Sequence, residues 1–307
     1  MQSTANILLI RPQSFRFNAE TAVSNKFQSE AVADERFLVN RIAVDEFDRF
    51  AETLRSKGVS VWIFDDSEEP EKPDAVFPNN WVSFHADGTV VLYPMCAANR
   101  RNERRLDIVE QLEARFRIEK IVDLSHYENE NRFLEGTGSI VFDHVNKIAY
   151  ACLSPRTDLG LFNEVSADLG YEAVSFHAHG ADGSEIYHTN VMMSVGTGFA
   201  VICLASIRDN LERKMVVAKL DAGNLQVIDI SLDQMNSFAG NMLEVAANGG
   251  RPLLVLSQTA HDALRDQQKS ALQEFCELFP ISIPTIEKVG GGSARCMMAE
   301  IFLPELA

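Results

Sequence analysis

A unit of strand, tight turn, strand and helix recurs about every fifty residues, and this recurrence limits the fold more than any other feature of the chain. Four segments open on an Asn- or Gly-rich motif and run through two apolar strands into a polar helix. They begin near Phe77 (FPNNWVSFHADGTVVLYPM), Leu134 (LEGTGSIVFDHVNKIAYACL), Tyr187 (YHTNVMMSVGTGFAVICL) and Phe238 (FAGNMLEVAANGGRPLLVLS). Asp87-Gly88 and Asn248-Gly249 supply turn residues that tolerate positive φ, and His144 to Asn146 and Gly196 to Gly198 stand at the matching places. A fifth unit is split between the ends, with GGSARCMMAEIFL at 291–303 and NILLIRP at 6–12. The markers Asn80, Gly138, Asn190, Asn241 and Cys296 lie 58, 52, 51 and 55 positions apart.

Helices are expected over Val44–Lys57, Asn102–Arg117 and Asn210–Leu220, with strands following at, for example, Val59–Phe64 and Leu225–Ile230. The expected fold is α/β: five α/β blades about a pseudo-fivefold axis, 1–307 forming one domain because a single repeat cannot bury its own apolar face. An ordinary doubly wound α/β protein is the alternative. In the five-bladed arrangement the marker residues, each opening a first hairpin strand, converge on one central pocket.

Composition narrows the function. The net charge of −16 repels phosphate backbones, so no nucleic-acid partner is expected. The basic cluster Arg100, Arg101, Arg104 and Arg105 is interleaved with Glu103 and Asp107 and reads as a solvated helix face. No apolar run approaches the roughly 20 residues that span a bilayer, so no membrane association is expected. The opening MQSTANILLIRPQ lacks the basic start of a signal peptide. Five cysteines without a C-x-x-C pair favour reduced thiols and a cytoplasmic location, with no metal and no cofactor.

The repeat also sorts the thiols. Cys96, Cys152 and Cys203 fall late in successive second hairpin strands, and Cys276 sits on an apolar helical stripe; all four read as packing residues. Cys296 follows Gly290-Gly291-Gly292-Ser293-Ala294-Arg295, a run that brings backbone and amide donors close to a ligand. It is a nucleophile or another core thiol. A thiolate nucleophile needs a proton donor for its leaving group. Among seven histidines, His188 alone begins a hairpin strand, where it is either catalytic or structural. Glu135 opens the equivalent motif one unit earlier, as a site carboxylate or a loop-edge residue.

Three stretches, RFLEGTGSI at Glu135, YHTN at His188 and GGSARCMM at Cys296, carry a resemblance to the guanidino-group-modifying enzymes. These are the arginine deiminases, dimethylarginine dimethylaminohydrolases and amidinotransferases. The resemblance covers essentially the whole chain. It implies a five-bladed α/β propeller, the pentein fold, with a central Cys-His-Glu site: Cys296 as nucleophile, His188 as acid and base, and Glu135 orienting substrate nitrogens.

The chain departs from that family at the carboxylates that meet the cationic substrate. Asn80, in the stretch opened by Phe77, and Asn190, after His188, stand where the family has aspartates, and Gly138 replaces a third. An unpaired buried cation is costly, whereas a neutral urea offers the donors and acceptor that an asparagine matches. The substitutions therefore point to a ureido amino acid such as citrulline, unless these asparagines merely cap strands. The FPNNW variant looks like bacterial citrulline-utilisation hydrolases, which supports the same substrate. Asn241 would complete the ring of polar contacts. Arg295, then Arg11 and Arg132, are candidates for holding the substrate carboxylate. The partner expected is a small amino-acid substrate, and other copies of the chain are compatible with the sequence. Alternatives are a deiminase-type hydrolase of arginine or dimethylarginine, an amidinotransferase, and a non-catalytic ribosome-binding propeller.

Overall fold

The computed structural model describes residues 1–29, 36–247 and 250–306. Among these described residues, fifteen strands form five three-stranded sheets. In chain order they are β1 (Asn6–Arg11), β2 (Ser60–Asp65), β3 (Val82–Phe84), β4 (Thr89–Leu92), β5 (Lys120–Asp123), β6 (Val141–Asp143), β7 (Ile148–Cys152) and β8 (Glu172–Phe176). There follow β9 (Met193–Gly196), β10 (Phe199–Ile202), β11 (Gln226–Asp229), β12 (Leu243–Val245), β13 (Leu253–Ser257), β14 (Glu277–Ile281) and β15 (Ala299–Glu300).

Every sheet is built alike. The central strands β4, β7, β10 and β13 pair antiparallel with the strand before and parallel with the strand after. The parallel step needs a crossover, which the intervening helix supplies. The expected split unit is present: β15 pairs antiparallel with β1 through Ile7↔Glu300 and Leu8↔Ala299, and β1 pairs parallel with β2. Five sheets of this pattern match in number and build the five units that the repeat implied.

The chain clusters into two compact units. One comprises Met1–Ser3, Gly138–Ser282 and Ser293–Arg295 and holds the three sheets β6 to β14. The other comprises Thr4–Thr137, Ile283–Gly292 and Cys296–Ala307 and holds β1 to β5 with β15.

Local chemistry explains the elements. Ile7 to Ile10 of β1 are all buried, as expected for a central strand covered on both faces. The helix Arg36–Ser56 buries Ala43, Phe47, Phe50, Ala51 and Leu54, one stripe at helical spacing. In the two-sheet unit, Trp81, Phe84, Ile108, Leu112 and Phe116 share a core with Leu8 and Ile301. Each large side chain so buried contributes roughly 1.5–3 kcal/mol. Gly88 and Gly198 turn their hairpins at φ +84°. Lys147, at φ +57°, turns the hairpin between β6 and β7, and the Asn248-Gly249 turn lies outside the described residues. Among the described residues, no helix is long and apolar enough to cross a membrane.

Several expectations are corrected. The helix placed at 44–57 begins at Arg36 among the described residues. The helix placed at 102–117 is instead a 3-10 turn, Ala98–Glu103, and a short α-helix, Leu106–Leu112. Arg104 and Arg105 between them are extended; Arg104 is drawn to Glu128 and Arg105 to Asp107. The arginine cluster is therefore not one solvated face, for Arg100 is buried. The marker residues sit two or three positions before the first hairpin strands rather than in them, several within single helical turns such as Pro78–Asn80 and Thr189–Met192. Cys96 is only half-buried, because its chain leaves β4 at Leu92, whereas Cys152 ends β7 within the sheet.

Candidate active site

In the two-sheet unit the site begins with the glycine run. A Cβ on Gly290 or Gly292 would come within 2.8 Å of the Phe77 ring, so glycine alone lets this backbone lie against it. Gly291 takes φ +65° to end the turn Ile286–Gly290. That turn is fixed at its start by buried Glu46, whose carboxylate accepts from the Thr285 and Ile286 amides at 3.0–3.1 Å. Cys296 follows the run, 5% exposed.

Three of the other thiols are fully buried. Burial pushes the Cys152 and Cys276 thiols up to about 12, and Cys203 upward as well. These three stay protonated at neutral pH and serve as packing groups.

Beside Phe77 lies a buried charge cluster. Glu135 has no exposed surface; its Oε1 accepts from the Cys96 amide at 3.0 Å, and its Oε2 is 4.0 Å from Arg100 Nη1. Arg100, 3% exposed, forks onto Glu103 through Nε at 2.9 Å and Nη2 at 2.8 Å. Its Nε is 3.7 Å from Asp74, and its Nη1 donates to Asn80 Oδ1 at 2.8 Å. Asp74 in turn accepts from Asn18 and Thr21.

One guanidinium thus faces three carboxylates. Burial opposes the Arg100 charge, but Glu103, Asp74 and Glu135 outweigh it and hold the guanidinium protonated. Glu103 is raised to about 7, chiefly by burial and further by Asp74 and Glu135, against the lowering by Arg100. Next to this cluster, Asn79 is wholly buried with neither Oδ1 nor Nδ2 hydrogen-bonded, and Asn80 Nδ2 is likewise buried without a partner. Unpaired buried amides are costly, and these three atoms are where this cluster retains hydrogen-bonding capacity.

In the three-sheet unit, His188 is 2% exposed, with its ring 4.7 Å from Tyr187. The next residue anchors it: Thr189 Oγ1 accepts from the Cys152 amide at 2.8 Å and donates to Ser139 O at 2.5 Å. Asn190, 1% exposed, follows. Asn241 Nδ2 donates to Asn190 O at 3.0 Å, and Asn241 Oδ1 accepts from the Arg295 amide at 3.1 Å. Asn241 therefore clasps two backbone segments, and Gly240 permits this by passing where a Cβ would meet Val191 O at 2.4 Å. Arg295 is 7% exposed.

The structure brings Phe77, Asn80 and Glu135 together in one unit and His188, Asn190, Asn241 and Arg295 in the other. Arg11 forks onto Asp48, and Arg132 pairs with Glu130 over the Tyr127 ring, all partly exposed.

Sequence reasoning missed Asp74, Asn79, Arg100, Glu103 and Arg156. Arg156 is buried, with its guanidinium 4.8 Å from the centre of the Tyr187 ring. A signal existed for the arginines: Cys96 and Cys152, matched by the repeat, are each followed four residues later by arginine, in CAANR and CLSPR.

The family described as N,N dimethylarginine dimethylhydrolase, eukaryotic, matches residues 11–303. No curated protein sequence matches significantly. Among solved structures, the N-terminal domain of ArgZ, an arginine dihydrolase of the ornithine–ammonia cycle in Cyanobacteria, here a Cys-to-Ser mutant bound to substrate, superposes with a TM-score of 0.75. It is 16% identical, over 98% of this chain and 99% of that domain. Unliganded AgrE gives a TM-score of 0.76 at 16% identity; the match covers 98% of this chain but only 40% of AgrE. DDAH from Pseudomonas aeruginosa, a Cys-to-Ser mutant complexed with citrulline, gives 0.65 at 13% identity over 97% of this chain and 100% of that one.

Proposed function

The chain belongs to the N,N-dimethylarginine dimethylhydrolase family, a family of hydrolases that act on carbon–nitrogen bonds of arginine-related amino acids, and from that premise we propose that it hydrolyses citrulline. The products are ornithine, ammonia and carbon dioxide. The observation that carries the substrate is the Asn79-Asn80 wall: two buried carboxamides, one with neither end paired and one with its NH₂ unpaired. A ureido group supplies the carbonyl acceptor and N–H donors that such amides need, while remaining neutral.

In this mechanism the Cys296 thiolate attacks the ureido carbon. His188, as imidazolium, gives its proton to the departing amine, and a carbamoyl thioester remains on sulfur. The neutral imidazole then takes a proton from water, which attacks the thioester carbon. The carbamate released decomposes to ammonia and carbon dioxide. Glu135 accepts hydrogen bonds from the ureido nitrogens, with Asn80 and Asn190 as further contacts. Asn241 holds the Asn190 and Arg295 backbones. Arg295 and Arg156, both buried, are the arginines suited to the substrate carboxylate. The assignment of Cys296 and His188 as partners rests on the family resemblance.

Arginine is a second reading. It is favoured by the surplus of carboxylates around Arg100, and ArgZ is an arginine dihydrolase. Incubation with citrulline, arginine and dimethylarginine separates the two. The proposal expects ornithine and equimolar ammonia from citrulline, at a kcat/KM at least tenfold above that for arginine. Citrulline accumulating from arginine or dimethylarginine, with no ornithine from citrulline, would overturn it.

A further inference from the structure

We infer that Arg100 is the residue that sets the preference for a neutral over a cationic substrate, by fixing which end of the Asn80 carboxamide faces the ligand. The inference rests on the citrulline reading and names the device behind it.

A carboxamide in a pocket is ambiguous, since it can turn either its oxygen or its NH₂ toward a ligand. Arg100 removes the ambiguity. A guanidinium has five donors and no acceptor, so the Asn80 atom at 2.8 Å from Nη1 must be the oxygen. Arg100 cannot swing away, because its other edge is held by the two-point fork to Glu103 at 2.9 and 2.8 Å. That fork uses Nε and Nη2 and leaves Nη1 for Asn80. Both residues of the fork are buried, with Arg100 3% and Glu103 2% exposed. The Asn80 NH₂ is left buried and without a partner.

A locked, unpaired NH₂ selects its ligand by polarity. It satisfies a carbonyl oxygen and is opposed by another donor. The ureido group of citrulline carries that oxygen; the guanidinium of arginine presents only N–H groups. An analogue that leaves a buried donor unmet is rejected by about 10- to 100-fold. An aspartate at this position would keep the Arg100 bond through one oxygen and present the other as an acceptor, which inverts the preference with little change of shape. Arg100 is thus a positioning residue, acting through Asn80.

The test measures dissociation constants for citrulline and arginine by calorimetry in a Cys296→Ser background, where no turnover intervenes. The parent should bind citrulline more tightly by about tenfold or more, and Asn80→Asp should reverse the order. Arg100→Gln combined with Glu103→Gln removes both halves of the fork, so that Glu103 is not left charged without its partner, and frees the Asn80 amide to turn. This pair should lower the citrulline-to-arginine ratio about tenfold with Asn80 present, yet leave it unchanged in the Asn80→Asp background, where both oxygens are acceptors. A purely structural role would move both backgrounds alike, and that result would overturn the inference. So would an unchanged ratio in the Asn80 background beside a reversal by Asn80→Asp, although the substrate assignment would survive. A parent that prefers arginine would instead overturn the substrate assignment itself. Should the paired variant not fold, Arg100→Lys, which keeps a cation against Asp74, Glu103 and Glu135 but has no two-point fork, takes its place in the same two backgrounds, with the same result expected and the same results overturning the inference.

Discussion

The close approach of Gly136 to the asparagine pair gives a sharp prediction. Gly136 takes φ +48°, and a Cβ there would lie 2.2 Å from Asn79 O and 3.0 Å from Asn80 O. Gly136→Ala therefore carries two costs. Left-handed backbone costs a side-chain-bearing residue about 1–2 kcal/mol. Forcing an atom into occupied space adds about 1–3 kcal/mol. Gly170 separates the two, because it takes φ +74° with nothing within 4 Å of its Cβ position. Unfolding entropy near 2.1 cal/mol/K per residue gives about 0.6 kcal/mol/K for 307 residues. Gly170→Ala should then lower Tm by about 2–3 °C and Gly136→Ala by about 3–8 °C. Relieving the contact requires Asn79 and Asn80 to move by about 1 Å, a displacement that costs on the order of 100-fold in rate. Differential scanning calorimetry and an ornithine-release assay read the two effects. A Gly136→Ala protein matching Gly170→Ala in Tm and the wild type in kcat/KM would refute the claim that this backbone contact positions the pair.

Cys296→Ser should abolish ornithine release while leaving citrulline binding within a few-fold, which calorimetry checks. Iodoacetamide mapping should label Cys296 well ahead of Cys152 and Cys276, whose thiols burial holds at about 12. Glu103 gives a pH dependence. Its folded value is raised to about 7 from an ordinary 4.5, so the folded state holds the proton that the unfolded chain releases. Stability conferred by that proton is present below about 4.5 and is lost as pH rises through about 7. The Tm of Glu103→Gln relative to wild type should therefore climb between pH 4.5 and 7; a flat difference across that window would contradict the raised value.

The architecture was legible because its signals are local and repeated. Two glycines at φ +84°, alternating apolar strands and a period near fifty residues mark the hairpins without knowledge of any long-range contact. Even the split sheet could be inferred, since 291–303 and 6–12 complete one pattern. The charge cluster was not legible in the same way. An arginine run interleaved with glutamate looks identical whether it coats a helix or, like Arg100 and Glu103, forms a buried fork, and burial is decided by Asp74 and Glu135 from elsewhere in the chain. The continuous helix expected from that run fails for the same reason, because Arg104 pairs with distant Glu128 and Arg105 donates to the Asp65 carbonyl where the backbone is extended. The repeat groups Cys96 with Cys152, although the strand before Cys96 ends four residues early.

The most direct test of the account is acid quenching of the enzyme during turnover of citrulline labelled with ¹³C at the ureido carbon, followed by peptide mass spectrometry. A base-labile carbamoyl adduct carrying the label on the Cys296 peptide is the predicted result. Steady ornithine release with label on no cysteine, or on a different one, would contradict attack by Cys296 on that carbon.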